Sequence, residues 1–260
     1  MKSLHTEKSR PSLLLTLHGF TGDPYDFSTL YADAGIEAVW RFVDLPGHFR
    51  HGQPIPQPDR QWSDFVSRIE QVVREAETTQ SKLYILAYSM GVRLLLKALL
   101  EHQWKPEGLI LVSATAGLES AGERVARLEH DKTLAESLRR DGIESFIDRW
   151  MQQPIIASQQ GVSSPDRIQR KKQLNADALA DALIEYSPGK LPSVWHLLGD
   201  IACRTTLIAG EYDHKYINLH QRLVAHLPNA EMRVVSKAGH APFIEQPVAF
   251  RDILLPLICQ

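Results

Sequence analysis

Two cysteines in 260 residues, Cys203 and Cys259, are too few for a disulfide framework, and neither has metal-ligand spacing or a partner motif. Their scarcity excludes a stapled secreted scaffold and a thiolate metal centre, and predicts two buried thiols in a reducing compartment. Long hydrophobic runs are missing as well. Residues 1–11 are polar, and the apolar stretch that follows is ended at once by His18-Gly19, too early for a signal peptide or a membrane span. The chain is therefore expected to be cytoplasmic, with no membrane partner. Charge of one sign is also in short supply, with 29 Lys and Arg against 31 Asp and Glu and a formal net charge of −2. Without a basic stretch there is no electrostatic footprint for nucleic acid, which leaves a small molecule as the expected partner. No internal repeat or low-complexity segment stands out.

What is present is an alternation of strand and helix patterns. Apolar runs suited to buried strands recur at 12–17, 37–43, 82–87, 108–113, 204–210 and 231–236, with helix-like segments between most of them. Continuous apolar runs of this kind predict an α/β fold with a mostly parallel central sheet flanked by helices. With 43% hydrophobic residues, the chain can fill one complete core. About ninety residues separate the fourth run from the fifth, where a helical crossover needs only about a dozen. Helical patterns at about 119–141, 143–153 and 175–186, broken by Gly142, Pro154, Pro165 and Pro188, predict a helical cap over the carboxyl ends of the strands. The expected organisation is a core of residues 1–116 and 191–260, with a cap of residues 117–190 inserted in it.

The most informative segment is Ala87-Tyr88-Ser89-Met90-Gly91, between the apolar run at 82–86 and the helix-like run at 92–100. Strand, sharp turn and helix with a serine at the turn form a nucleophile elbow, the signature of an α/β-hydrolase fold. Its strained serine needs small neighbours two residues to either side. Gly91 meets this need, and Ala87 replaces the usual glycine with the mildest possible change. In such a fold the acid follows a late strand and the histidine lies in a loop near the C-terminus. Asp213 follows the run that breaks at Gly210, and His240 follows the run at 231–236 in Ala238-Gly239-His240-Ala241-Pro242. Of the rival acids, Asp200 precedes its strand and falls at the wrong end of the sheet, and Glu211 reads as a support for the turn. An oxyanion hole needs two backbone N–H groups aimed at developing charge. Met90 is placed to give one, and Phe20, in the His18-Gly19-Phe20-Thr21-Gly22 loop after the first strand, to give the other. Asp44-Leu45-Pro46-Gly47-His48 reads as a rigid turn at the rim, with His48 and His51 as solvent-facing loop residues.

From Gly117 to Lys190 there are eleven Lys and Arg against twelve Asp and Glu. Recognition of an anion must then come from individually placed cations. Arg93 lies four residues beyond Ser89 on the elbow helix and shares its face. Arg124 and Arg127 are three apart on the first cap helix, and Arg170 and Lys171 lie on a later one. A guanidinium fork suits a carboxylate better than an ammonium does. The alternative for each is a solvated surface charge; for Trp150 it is cap packing, and for Tyr88 packing at the elbow.

Over nearly its whole length the chain resembles the 2-succinyl-6-hydroxy-2,4-cyclohexadiene-1-carboxylate synthases of menaquinone biosynthesis, lyases built on the α/β-hydrolase fold. The likeness runs through residues 17–22, 44–48, Tyr88-Ser89-Met90-Gly91-Val92-Arg93, the cap segments 117–127 and Asp148-Arg149-Trp150-Met151-Gln152-Gln153-Pro154, then 210–213 and 238–240. The arginine after the elbow and the Trp-x-Gln-Gln-Pro segment are its most specific parts. The resemblance implies Ser89, Asp213 and His240 as the catalytic triad. It implies Arg93, Arg127 and Trp150 lining the site with Tyr88 beside it, and a basic residue where Lys171 or Arg170 falls. It also implies pyruvate elimination from a polycarboxylate cyclohexene, with Ser89 as base and no metal or organic cofactor. As the first strand already leads to the oxyanion loop, the N-terminal hairpin seen in larger members of the α/β-hydrolase fold is expected to be short or missing. The same triad also suits a hydrolase of small esters, thioesters or carbon–carbon bonds, and the fold also suits a non-catalytic ligand-binding receptor. The expected assembly is a monomer or a small homo-oligomer.

Overall fold

The computed structural model describes residues 10–159 and 164–259. The start of the chain up to residue 9, read above as part of a polar segment, lies outside the described residues. Six strands follow the six apolar runs: β1 (Ser12–Leu17), β2 (Ala38–Val43), β3 (Lys82–Tyr88), β4 (Gly108–Val112), β5 (Arg204–Gly210) and β6 (Ala230–Val235). They pair in the order β2-β1-β3-β4-β5-β6, and every pairing is parallel. The central strands are buried along nearly their whole length because helices cover both faces, whereas the edge strands β2 and β6 are only partly buried.

Successive side chains of a strand point to opposite faces, and this divides the core in two. Leu13, Leu15, Leu17, Ile85 and Leu111 face one cluster, which is closed by the helices that carry Phe65, Ile69, Leu95 and Leu99. Leu14, Leu86, Ile110 and Ile208 face the other, with Phe27, Phe243, Phe250 and Leu254. The helices are α1 (Ser28–Tyr31), α2 (Pro58–Thr78), α3 (Met90–His102), α4 (Ala121–Trp150), α5 (Pro165–Lys172), α6 (Ala176–Glu185), α7 (His214–His226), α8 (Pro242–Glu245) and α9 (Pro247–Ile258). No described helix is long and apolar enough to cross a membrane.

Between β4 and β5 lie α4, α5 and α6, with an apolar cluster of their own around Leu138, Phe146, Ile147, Leu179 and Leu183. Helix α4 is two helices in series, broken at Gly142 (φ 77°, ψ 168°), the residue at which the sequence pattern changes. Ser120, Ser164 and Asn175 cap α4, α5 and α6, each accepting a backbone N–H in the first turn. Helix α5 is fixed to the loop after β1 by charge. Arg167 Nε donates to Asp26 Oδ1 at 3.0 Å with both groups buried, and Arg170 Nε donates to Asp23 Oδ2 at 2.9 Å.

Two expectations are corrected here. Cys259 is exposed beyond the last helix and Cys203 only partly buried, because both lie at the ends of elements rather than within apolar runs. His48 is buried, not solvent-facing: its Nε2 accepts the Thr21 N–H at 3.1 Å. Burial and the neighbouring His18 lower its pKa to about 3, so it is neutral. His51 is exposed.

Candidate active site

Ser89 stands between β3 and α3 with φ 49° and ψ −107°, a strained conformation for a residue with a side chain. The turn is tolerated because Gly91 lets the helix start press onto β1. A Cβ there would lie 2.5 Å from the His18 carbonyl oxygen and 2.8 Å from that of Leu17. Gly19 serves the loop opposite in the same way, since a Cβ on it would lie 2.6 Å from the Tyr88 ring.

His240 Nε2 lies 3.1 Å from Ser89 Oγ, and its Nδ1 lies 2.7 Å from Asp213 Oδ2. The carboxylate can only accept, so Nδ1 carries the proton and Nε2 is left to receive the Ser89 hydroxyl proton. The loop that holds His240 is pinned on three sides. Glu245 accepts the N–H of Gly239 at 2.7 Å and that of Ala241 at 3.0 Å, and Ser113 Oγ donates to the His240 carbonyl at 2.8 Å. Neither support was read from the sequence, although a glutamate five residues beyond the histidine was there to be noticed. Asp213 follows β5, as expected, and Glu211 supports the loop by accepting the Lys237 N–H at 2.8 Å. Among the described residues, the N–H groups of Phe20 and Met90 have no acceptor within the protein.

The triad opens into a cavity of about 380 Å³ between the strand ends and the cap helices. Phe20, Tyr88, Ser89, Met90, Arg93, Arg127, Trp150 and His240 all line it. Trp150 stacks on Phe146 and meets Phe20 edge to face at 5.0 Å between centroids. Tyr88 packs against His240, and burial raises its phenol pKa well above the usual value. Burial lowers the Arg93 pKa from 12.5 to about 10, so the guanidinium stays charged at neutral pH, and its Nε is buried with no hydrogen-bond partner among the described residues. Arg127 is held by Asp131, which accepts from its Nε with both carboxylate oxygens at 2.9 Å.

Lys171 is the exception among the residues named from sequence. It is absent from the cavity wall: its ammonium is buried under the loop after β1, donating to the Thr21 carbonyl at 2.9 Å near Asp26. Arg170 is likewise taken up, by Asp23. Sequence reasoning missed Asp131, although four residues after Arg127 is helical pairing distance, and it missed Tyr216, whose ring lies 4.7 Å from that of His240.

A parallel sheet with a serine elbow, an acid and a histidine in the loops after its last two strands, and two unengaged N–H groups defines a serine-elbow enzyme of the α/β-hydrolase class. Residues 14–253 match the model of the alpha/beta hydrolase family, to which the chain belongs. It is 31% identical over 244 residues to a Bacillus subtilis protein that carries the name 2-succinyl-6-hydroxy-2,4-cyclohexadiene-1-carboxylate synthase, covering 93% of this chain and 88% of that one. A synthase of the same name from Serratia proteamaculans is 28% identical, covering 94% of this chain and 91% of its own. Within the fold family, the chain belongs to these synthases. The MenH structure from S. aureus shares the fold with a TM-score of 0.84, at 24% identity over 97% of this chain and 95% of that one. An esterase from Thermogutta terrifontis shares it at 0.71, with 22% identity over 96% and 91%.

Proposed function

We infer that this enzyme is a carbon–oxygen lyase that eliminates pyruvate from 2-succinyl-5-enolpyruvyl-6-hydroxy-3-cyclohexene-1-carboxylate to give 2-succinyl-6-hydroxy-2,4-cyclohexadiene-1-carboxylate. The names of substrate and product give the bond changes. A proton leaves C2, where the succinyl ketone acidifies it; the double bond moves from C3=C4 to C2=C3, a second forms at C4=C5, and the C5–O bond breaks. His240 draws the Ser89 hydroxyl proton through Nε2, and the Ser89 oxygen takes the proton from C2. Asp213 holds the histidine in the required tautomer and offsets the charge it gains. The N–H groups of Phe20 and Met90 face the ketone oxygen as it becomes an enolate. The departing enolpyruvate takes up a proton and leaves as pyruvate. The bond changes need no electron acceptor.

Arg93 and Arg127 take two of the substrate's carboxylates, and Trp150 and Tyr88 wall the ring. Residues 117–190 act as the cap that seals this cavity. A trianion crosses a bilayer poorly, which favours a cytoplasmic site of action. The observation that carries the reading is Arg93. A half-buried guanidinium whose Nε is buried with no hydrogen-bond partner among the described residues, in the same cavity as the triad, suits an anionic substrate better than a neutral ester. The experiment is to supply the enolpyruvyl ether and follow pyruvate by coupled oxidation of NADH. Absence of pyruvate together with ready turnover of acyl esters would return the protein to the hydrolases.

A further inference from the structure

The substrate inferred above carries three carboxylates, one each on the ring, the succinyl arm and the enolpyruvyl group. The displacement of Lys171 and Arg170 to the loop after β1 leaves one of them without a partner. Among the described residues, four lysine and arginine side chains line the cavity: Arg93, Arg127, Lys215 and Arg222. Arg222 is engaged, donating to Glu119 at 2.7 Å while its guanidinium lies 4.4 Å from the Trp195 ring centre. Arg127 is fixed by Asp131 and keeps its outer nitrogens for a ligand. Lys215 has no carboxylate partner among the described residues; its ammonium lies 5.7 Å from the centre of the Tyr216 ring.

The position of Lys215 is unfavourable for the helix that bears it. It is the second residue of α7, whose first turn holds no acidic residue, so its charge stands at the positive end of the helix dipole. Asp213, at the N-cap, makes no capping hydrogen bond to the first turn, its carboxylate being bonded to His240. An anion at this rim satisfies the ammonium and the helix end together. Tyr216 connects the rim to the chemistry, its ring lying 5.7 Å from the Lys215 ammonium and 4.7 Å from the centre of the His240 ring.

Resting on the elimination reading, we propose that Lys215 is a substrate-recognition residue that binds the third carboxylate, the one left over by Arg93 and Arg127. The ammonium is a point donor on a flexible stem, suited to a carboxylate at the cavity mouth that must bind and then be released.

The test is steady-state pyruvate release by wild type, Lys215→Met and Lys215→Arg, with inhibition by propane-1,2,3-tricarboxylate measured alongside. Lys215→Met should raise KM about tenfold, leave kcat within about threefold and weaken tricarboxylate inhibition by a similar factor, at unchanged Tm. Lys215→Arg should recover most of the KM. An unchanged KM and inhibition constant in Lys215→Met, beside an active wild type, overturns the assignment alone. A Tm lower by several degrees with kcat and KM lost together also overturns it, making Lys215 structural. Failure of the wild type to release pyruvate removes the elimination reading itself.

Discussion

Replacing Arg93 with methionine should make the protein more stable and the enzyme much worse. Methionine keeps the apolar reach of the arginine stem and removes only the charge. Burial takes the guanidinium from pKa 12.5 to about 10, which at 1.36 kcal/mol per unit bounds the cost of holding that charge at about 3 kcal/mol. The head keeps some solvent contact, so the recovered part should be about 1–2 kcal/mol, or roughly 2–6 °C in Tm for a chain of this size. The sign follows from linkage. A cation whose folded pKa is depressed penalises folding wherever the unfolded chain holds the proton more tightly, so the gain should persist at neutral pH and shrink as pH rises through about 10. Binding moves the other way. Truncating one member of a buried charge pair costs about 2–5 kcal/mol, which is a fall of roughly 30- to 5000-fold in kcat/KM. Scanning calorimetry and coupled pyruvate release on the same preparation measure both. A Tm lowered by several degrees with kcat/KM intact would refute the reasoning, because it would make Arg93 a structural residue whose buried Nε is stabilised by something other than substrate.

Three further outcomes are expected. Ser89→Ala and His240→Ala should each lower kcat by about 10³-fold or more without a fall in Tm, and near-normal turnover in either would dismantle the triad. On the proposal that the serine moves only a proton, intact-mass measurement of enzyme quenched in the steady state should show no substrate-derived adduct on Ser89; an adduct would point to acyl transfer. Asp26→Asn breaks the buried pair with Arg167 and takes a compensating charge from Lys171, so thermal melts should show a loss of about 3–5 kcal/mol. Burial opposes ionisation of Asp26, but the Lys171 and Arg167 charges prevail and lower its pKa below 3.8. Its contribution is therefore present above pH 4 and lost as pH falls through the folded value, and Asp26→Asn should lack that acid-dependent loss.

The parts of the fold legible in the sequence are those where one local rule dominates. Buried parallel strands need unbroken apolar runs, and each of the six begins and ends within a residue or so of its run. The Gly142 break shows because a left-handed φ in a helix needs glycine. The elbow is legible because strain and close approach both demand small residues at fixed offsets. What stayed hidden depends on where a long side chain goes after its backbone is placed. Arg170 and Lys171 are as cationic as Arg127, and nothing local says that α5 leans on the loop after β1, where Asp23 and Asp26 claim that helix's charges. His48 and Cys259 were misplaced for a related reason, since exposure of a loop or a chain end depends on which element passes over it.

Phe20 belongs to two parts of the protein at once. Its backbone N–H, without an acceptor among the described residues, is the one assigned above to the oxyanion, while its ring is wedged against Trp150 and Phe146 of α4, with centroids 5.0 and 6.3 Å away. One residue thus joins the inserted helices to the proposed chemistry. Any lifting of those helices would withdraw the packing that fixes this backbone at the same moment that it admitted water, so a stray nucleophile would enter only where charge on the ketone is least supported. Closure and competence would then coincide, with no separate safeguard against spending the serine on water.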